Sequence, residues 1–184
     1  MNKKTKFTLT ALWILLTRSY DAYCTYQFTP NLDKEANPLV TVLGMSWTPL
    51  LLTVFSLTLY GIWCLYQSTF KPINLLPTES GYSLSEVSGY IYLGKRAPWY
   101  AIFYAFPKSL RRFNQYLGHT LSRCLVYAGF ISTLMWLFIQ NCEWYRSIHS
   151  GALIYSLLLL GCSLILYQWH SQQNFEYLKN TAHK

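Results

Sequence analysis

The chain has 184 residues, of which 52% are hydrophobic, 18% aromatic and only 12% charged. Soluble domains carry about 25% charged residues, so lipid is the expected solvent for much of this chain, and an ordinary water-soluble enzyme is a poor fit. The formal net charge is +8 and the mean hydropathy a modest +0.16, so a sizeable part must lie outside a bilayer, and no DNA- or RNA-binding motif accompanies the charge.

Four apolar runs approach or exceed the roughly 17–25 residues that a spanning helix needs. The first covers residues 7–28. It follows Lys3, Lys4 and Lys6, as a signal peptide would, but no small-residue cleavage site comes after it and Asp21-Ala22-Tyr23 before Cys24 is a poor lipoprotein box. It is read as a span carrying two ionisable residues, Arg18 and Asp21. They lie three apart, and Thr25 falls on the same helical face. Charges at membrane depth pair with each other or face a protein interior, so this face is the first candidate for function.

Asn37-Pro38 is a sharp helix start, with a capping residue followed by a proline suited to the first turn. A straight helix from Pro38 to Tyr66 would be about 43 Å long, more than a hydrocarbon core of roughly 30 Å. Thr48-Pro49 offers a break. Residues 39–45 are therefore expected as a short interfacial helix or the upper arm of a kinked span, Trp47 as an interfacial anchor, and residues 49–66 as the second span.

Residues 67–120 form the largest piece between spans. Lys71-Pro72 and Leu76-Pro77 resist helix, while Ser80-Gly81-Tyr82-Ser83 and Ser88-Gly89 read as turns. Residues 98–106 are aromatic and too short to span, which suits an interfacial or re-entrant segment. Residues 107–117 read as an amphipathic helix with Lys108, Arg111, Arg112 and Gln115 opposite Leu110, Phe113, Tyr116 and Leu117. Basic residues beside aromatics suit an anionic inner leaflet. His119 and Arg123, one turn apart, extend this basic set as candidate lipid-headgroup contacts. The alternative is a solvated connecting helix.

The third and fourth spans are expected at residues 121–139 and 152–169. Gly129 with Thr133, and Ala152 with Ser156 and Ser163, put small residues at helical spacing, which favours close helix packing within one bundle or between protomers. With the N-terminus inside, the inner segments hold Lys3, Lys4, Lys6, Lys71, Lys95, Arg96, Lys108, Arg111, Arg112, Lys179 and Lys184, and the outer loops hold only Lys34 and Arg146. This asymmetry predicts an N-in, C-in topology. The expected fold is thus all-α, a four-helix membrane bundle forming a single membrane domain, with a basic amphipathic cytoplasmic hairpin.

Five cysteines stand at 24, 64, 124, 142 and 162 without a C-x-x-C pair. Cys24 and Cys142 share the outer end and are the one candidate disulfide. No ligand spacing supports structural zinc, and no metal or cofactor is expected. The four histidines, 119, 149, 170 and 183, fit no metal motif, and no nucleophile elbow, P-loop or dinucleotide glycine pattern occurs.

Between the first two spans lie Asp21, Thr25, Asp33, Glu35 and Asn37. Asp21-x3-Thr25 followed by Glu35-x-Asn37-Pro38 resembles a signature of small uncharacterised bacterial polytopic membrane proteins, over about residues 9–50. The resemblance implies a helical fold in a bacterial inner (cytoplasmic) membrane and no catalytic activity. Arg18 and the long basic loop are not part of that signature.

Read by chemistry, Arg18, Asp21, Thr25, Glu35 and Asn37 offer hard oxygen ligands for a cation and a carboxylate for proton relay. They equally suit structural locking, with Arg18 neutralising Asp21 and Asn37 capping its helix. The leading expectation is a non-enzymatic structural or accessory subunit, self-associating or joined to other membrane subunits. The first alternative is a small oligomeric cation- or proton-conducting channel or transporter using Arg18, Asp21 and Glu35. The second is a lipid-acting enzyme holding a headgroup with Arg111, Arg112, His119 and Arg123.

Overall fold

The computed structural model describes residues 2–33 and 35–182. Lys34 and Lys184, counted above in the charge asymmetry, and His183 lie outside the described residues. The described residues are all-α. In chain order they form α1 (Lys3–Phe28), α2 (Pro38–Thr41), α3 (Trp47–Phe70), α4 (Leu84–Leu93), a 3-10 turn (Trp99–Phe103), α5 (Leu110–Asn141), α6 (Glu143–Ile148) and α7 (Gly151–Ala182). Trp47–Phe70, Leu110–Asn141 and Gly151–Thr181 are each long and apolar enough to cross a membrane. These helices are compatible with a multi-pass membrane protein. At 26 residues α1 is also long enough to span, but Lys3, Lys4, Lys6, Arg18 and Asp21 lower its hydropathy below that of the other three.

The chain divides into two compact units. Unit 1 comprises Met1–Ile62 with Cys124–Cys162, and unit 2 comprises Trp63–Arg123 with Ser163–Lys184. In unit 1, α1 begins at Asn2, whose side chain accepts the Lys4 amide at 3.3 Å. The hydroxyls of Thr17 and Thr25 donate to the carbonyls of Trp13 and Asp21, each at 2.9 Å, which satisfies them without solvent. Gly129 of α5 lies against the Thr17 side chain, so a methyl there would overlap it. This small residue therefore serves packing within one chain. Ala152, Ser156 and Ser163 of α7 are exposed.

The helix break expected at Thr48-Pro49 falls earlier. α2 is a single turn capped by Asn37, whose side chain accepts the Leu39 amide at 3.0 Å, and residues 42–46 are not helical. Pro49 then sits in the first turn of α3, where its missing N–H costs nothing. Trp47 is not simply an interfacial anchor. Its indole N–H donates to the Pro30 carbonyl at 2.6 Å and its ring meets Tyr26 edge-on at 5.5 Å, tying the start of α3 back to the end of α1. At the far end of α5, the Arg146 guanidinium donates to the carbonyls of Ile139 and Gln140, which would otherwise be unsatisfied at a helix C-terminus.

Unit 2 differs most from expectation. Residues 107–117 do not form a separate amphipathic helix on a membrane surface. From Leu110 they begin α5, a continuous helix of 32 residues, and Arg112 and Gln115 are buried rather than solvated. The reason is that both side chains have backbone partners. Arg112 donates to the Leu75 carbonyl at 2.9 Å and lies over the Tyr90 ring at 4.9 Å. Gln115 donates to the carbonyls of Gln67 and Lys71 at 3.0 and 2.8 Å, closing the C-terminal end of α3. Gly118 permits this approach, since a methyl there would strike the Cys64 carbonyl and the Ser68 hydroxyl.

The basic hairpin is accordingly a small folded structure with its own core, built on Leu75, Val87, Ile91, Tyr92, Tyr116, Trp169 and Tyr177. Ser88-Gly89 is not a turn but part of α4. Glycine is required at 89 because the Ala97–Pro98 backbone lies where a Cβ would be. α4 opens with a reciprocal capping box between Ser83 and Glu86 and closes at Gly94, whose φ of 74° is left-handed. Glu86 also grips Arg96 through bonds of 2.6 and 3.1 Å, and Arg96 reaches the Gly81 carbonyl at 2.9 Å. The Arg96 guanidinium and the Ser83 amide hold the Glu86 carboxyl down at about 2. The 3-10 turn fills the aromatic stretch that was expected to be interfacial. Trp99, Tyr100, Phe103 and Tyr104 are exposed there, while Ala101 is buried.

Candidate functional site

Unit 1 contains a cavity of about 580 Å³. Its walls come from the second half of α1, the loop and cap before α2, the second half of α5, and the first turns of α7. Arg18, Asp21, Thr25, Glu35 and Asn37 all line it, so the five residues singled out from the sequence share one chamber. Thr29 after α1, Ser132 and Trp136 of α5, His149 and Tyr155 complete its polar lining. The rest is apolar, including Ala128, Met135, Ile139, Ile154 and Leu158.

Arg18 and Asp21 form a loose pair at 3.7 Å with side chains 17% and 31% exposed. Each is fixed by a second partner on α5. Arg18 donates to the Ser132 hydroxyl at 3.1 Å, and Asp21 accepts from the Trp136 indole at 2.8 Å. The Trp136 ring in turn packs on Phe28 at 5.3 Å. Thus α1 presents one positive and one negative group, and α5 supplies the donor and acceptor that orient them. Arg18 Nε is buried without a hydrogen-bond partner.

Glu35 reaches the chamber from the loop. Leu32, at a left-handed φ of 60°, turns the chain, and the Glu35 amide donates to the Leu32 carbonyl at 3.1 Å. A left-handed leucine is unfavourable by about 1–2 kcal/mol, and the burial of its side chain offsets this. One Glu35 carboxylate oxygen accepts the Asn37 amide at 3.0 Å. Burial pushes the Glu35 carboxyl above the usual carboxylate range, and the negative charge of Asp21 adds to this against the Asn37 hydrogen bond. His149 packs on Tyr145 at 5.6 Å, and burial pushes its imidazole down, toward the neutral form. Its Nδ1 is buried without a partner.

With Arg18 matched to Asp21 and His149 neutral, Glu35 is the one surplus acidic group lining the chamber among the described residues. A carboxylate in such a setting takes up a proton or is matched by a cation. Among the described residues no three His, Cys, Asp or Glu side chains come together as a metal site. Cys24 and Cys142 are both free; Cys24 is buried, its sulfur 3.6 Å from the Gln140 amide.

The candidate headgroup set does not converge. Lys108, Arg111 and Arg123 are exposed, but Arg112 is committed to Leu75 and Tyr90 inside the protein, and His119 stacks on Trp169 at 5.7 Å with the rings nearly parallel. The sequence reading missed Ser132, Trp136 and Tyr155. Ser132 and Trp136 are one helical turn apart, and that spacing of a hydroxyl and an indole in an apolar helix was the available signal. His149, which fits no motif in the sequence, faces the chamber. No family model, curated protein or solved structure matches this chain.

Proposed function

We propose that this is a polytopic membrane protein whose chamber is a proton- or cation-handling site, with Glu35 as the titrating group and Arg18 and Asp21 as a neutralised pair that shapes the wall. The observation that carries the reading is the half-buried Glu35 carboxyl, raised in pKa and facing a cavity whose other carboxylate already has a guanidinium beside it. In this reading α1 is a fourth span, the N- and C-termini lie on the cytoplasmic side, and the protein works as a small carrier or channel. The test is flux in proteoliposomes under an imposed pH gradient. Wild type should dissipate the gradient, and Glu35→Gln should abolish flux while its melting profile remains that of a folded protein. Absence of flux in wild type, or unchanged flux in Glu35→Gln, removes the reading.

A structural or accessory role in a larger membrane assembly is the second reading. It is favoured by α7, on which Leu159, Leu160, Leu164 and Tyr167 are all exposed. Exposed apolar helix surface suits lipid or a neighbouring subunit. Native mass determination in mild detergent separates the two: a defined oligomer or a co-purifying complex supports it, and a stable monomer counts against it. A lipid-acting enzyme built on Arg111, Arg112, His119 and Arg123 is disfavoured by the burial of Arg112. Lys108, Arg111 and the exposed aromatics of the 3-10 turn suit contact with an anionic leaflet.

A further inference from the structure

We propose that the chamber's ligand is a small organic cation with an apolar body, bound in exchange for the Glu35 proton. The proposal rests on the reading of the chamber as a proton or cation site and names the class of cation.

Volume is the first argument. A cavity of about 580 Å³ lies within the range of small-molecule pockets, about 300–1,000 Å³, and far exceeds what a dehydrated metal ion fills. Ligand supply is the second. A hard cation such as Ca²⁺ takes about six to eight oxygens. Here Asp21 has Trp136 on one oxygen and Arg18 beside the other, and one Glu35 oxygen already accepts the Asn37 amide. The neighbouring oxygens are engaged as well: the Thr25, Thr29 and Ser132 hydroxyls donate to main-chain carbonyls and Asn37 Oδ1 accepts the Leu39 amide, so few are left to replace a hydration shell.

The third argument is the lining. Phe28, Trp136 and Tyr155 give aromatic surface, and Ala128, Met135, Ile139, Ile154 and Leu158 add an aliphatic wall beside the polar groups. Aromatic faces attract ammonium groups, and an aliphatic wall suits the rest of an organic molecule. The fourth is the presence of orphaned polar atoms. Arg18 Nε and His149 Nδ1 are buried without partners. Four further buried atoms among the described residues also lack partners, so these two support the site because they belong to residues lining the cavity, where a bound molecule or ordered water completes them.

The exchange balances in charge. Protonated Glu35 leaves the chamber neutral, since Arg18 offsets Asp21. An incoming monocation requires Glu35 ionised, and its proton passes to solvent. Among the described residues the groups facing Glu35 are Asp21 and Arg18 from α1, His149 from the loop before α7, and Tyr155 from α7; the α5 wall contributes no titratable side chain. Burial pushes the His149 imidazole below its ordinary value, so it stays neutral through the exchange at neutral pH.

The experiment uses the full chain in nanodiscs in a weakly buffered medium, titrated with benzyltrimethylammonium, a permanent cation with no proton of its own. Wild type should release about one proton per probe bound, and below the Glu35 pKa the affinity should rise about tenfold per pH unit. Equal concentrations of Na⁺ or K⁺ should release none. Glu35→Gln should lose proton release and its pH dependence. Tyr155→Leu, which leaves every charge in place, should weaken the probe about fivefold while Glu35 still titrates. Proton release by Na⁺ equal to that by the probe overturns the organic class and leaves the proton-or-cation reading standing. No release by any cation, with Glu35 still titrating above the usual range, also overturns the organic class alone. Ordinary titration of Glu35 overturns both.

Discussion

The indole of Trp136 donates to the carboxylate of Asp21 at 2.8 Å, joining the second half of α5 to the second half of α1. Because Asp21 also faces Arg18, and Arg18 reaches Ser132, four side chains form one chain of polar contacts inside an apolar setting. Such chains are strong only when complete.

Truncating this chain should therefore destabilise unit 1. Trp136→Phe keeps an aromatic side chain and removes the donor, and the lost bond is expected to cost about 1–2 kcal/mol. Arg18→Met should cost more, about 2–3 kcal/mol, because it leaves Asp21 ionised without its counter-charge. The double change Arg18→Met with Asp21→Leu should recover part of that loss. Thermal melts in detergent give the order, and a Trp136→Phe variant less stable than Arg18→Met would contradict it.

Gly89 and Gly129 mark two close approaches that tolerate no side chain. Gly89→Ala should drive α4 off the Ala97–Pro98 backbone, and Gly129→Ala should press on Thr17. Each is expected to lower stability by about 1–3 kcal/mol. Gly81→Ala has open space around it but a φ of 87°, so any cost there arises from the backbone alone. Hydrogen exchange localises each effect: the first should loosen amides of α4, the second those of α1 and α5.

Acid should act on unit 2 through Glu86. Its carboxyl is held down at about 2, below its ordinary value of 4.5, by Arg96 and Ser83. A depressed carboxyl contributes stability that is present above the unfolded pKa and is lost as pH falls through the folded one. The contribution should thus be complete above about pH 5 and fade toward pH 2. Glu86→Gln should flatten this part of the pH profile of α4 amide exchange, and an unchanged profile would remove Glu86 as its cause. Ser83→Ala, which breaks the capping box, should cost about 1 kcal/mol at neutral pH.

Gln115 closes the end of α3 with two bonds to main-chain carbonyls. Gln115→Leu retains bulk and removes both at a cost of about 1 kcal/mol, the Gln67 carbonyl keeping its bond from the Lys71 amide. Gln115→Glu should be worse, since a carboxylate repels the same carbonyls. Equal stability of the two variants would argue that the bonds contribute little.

Much of this was legible from residue type and spacing. Long apolar runs marked α3, α5 and α7, and Asn37-Pro38 marked the start of α2, because capping and proline geometry are local. Arg18, Asp21, Thr25, Glu35 and Asn37 were legible as a polar set because charge at membrane depth is costly wherever it falls. What was not legible depends on tertiary partners. Arg112 and Gln115 look like the polar face of a surface helix, and only the Leu75, Gln67 and Lys71 carbonyls reveal why they are buried. Ser88-Gly89 reads as a turn by composition, but the glycine answers to a backbone eight residues away.

The most direct measurement on the chamber is the infrared difference spectrum of the full chain against pH, with Glu35→Gln as the reference that assigns the band. Burial beside Asp21 requires Glu35 to keep its protonated carbonyl stretch above the usual carboxylate range and to lose it only as pH rises further. The account predicts that band in wild type and its absence in Glu35→Gln. A Glu35 carboxyl that ionises with ordinary solvent-exposed glutamates would contradict it.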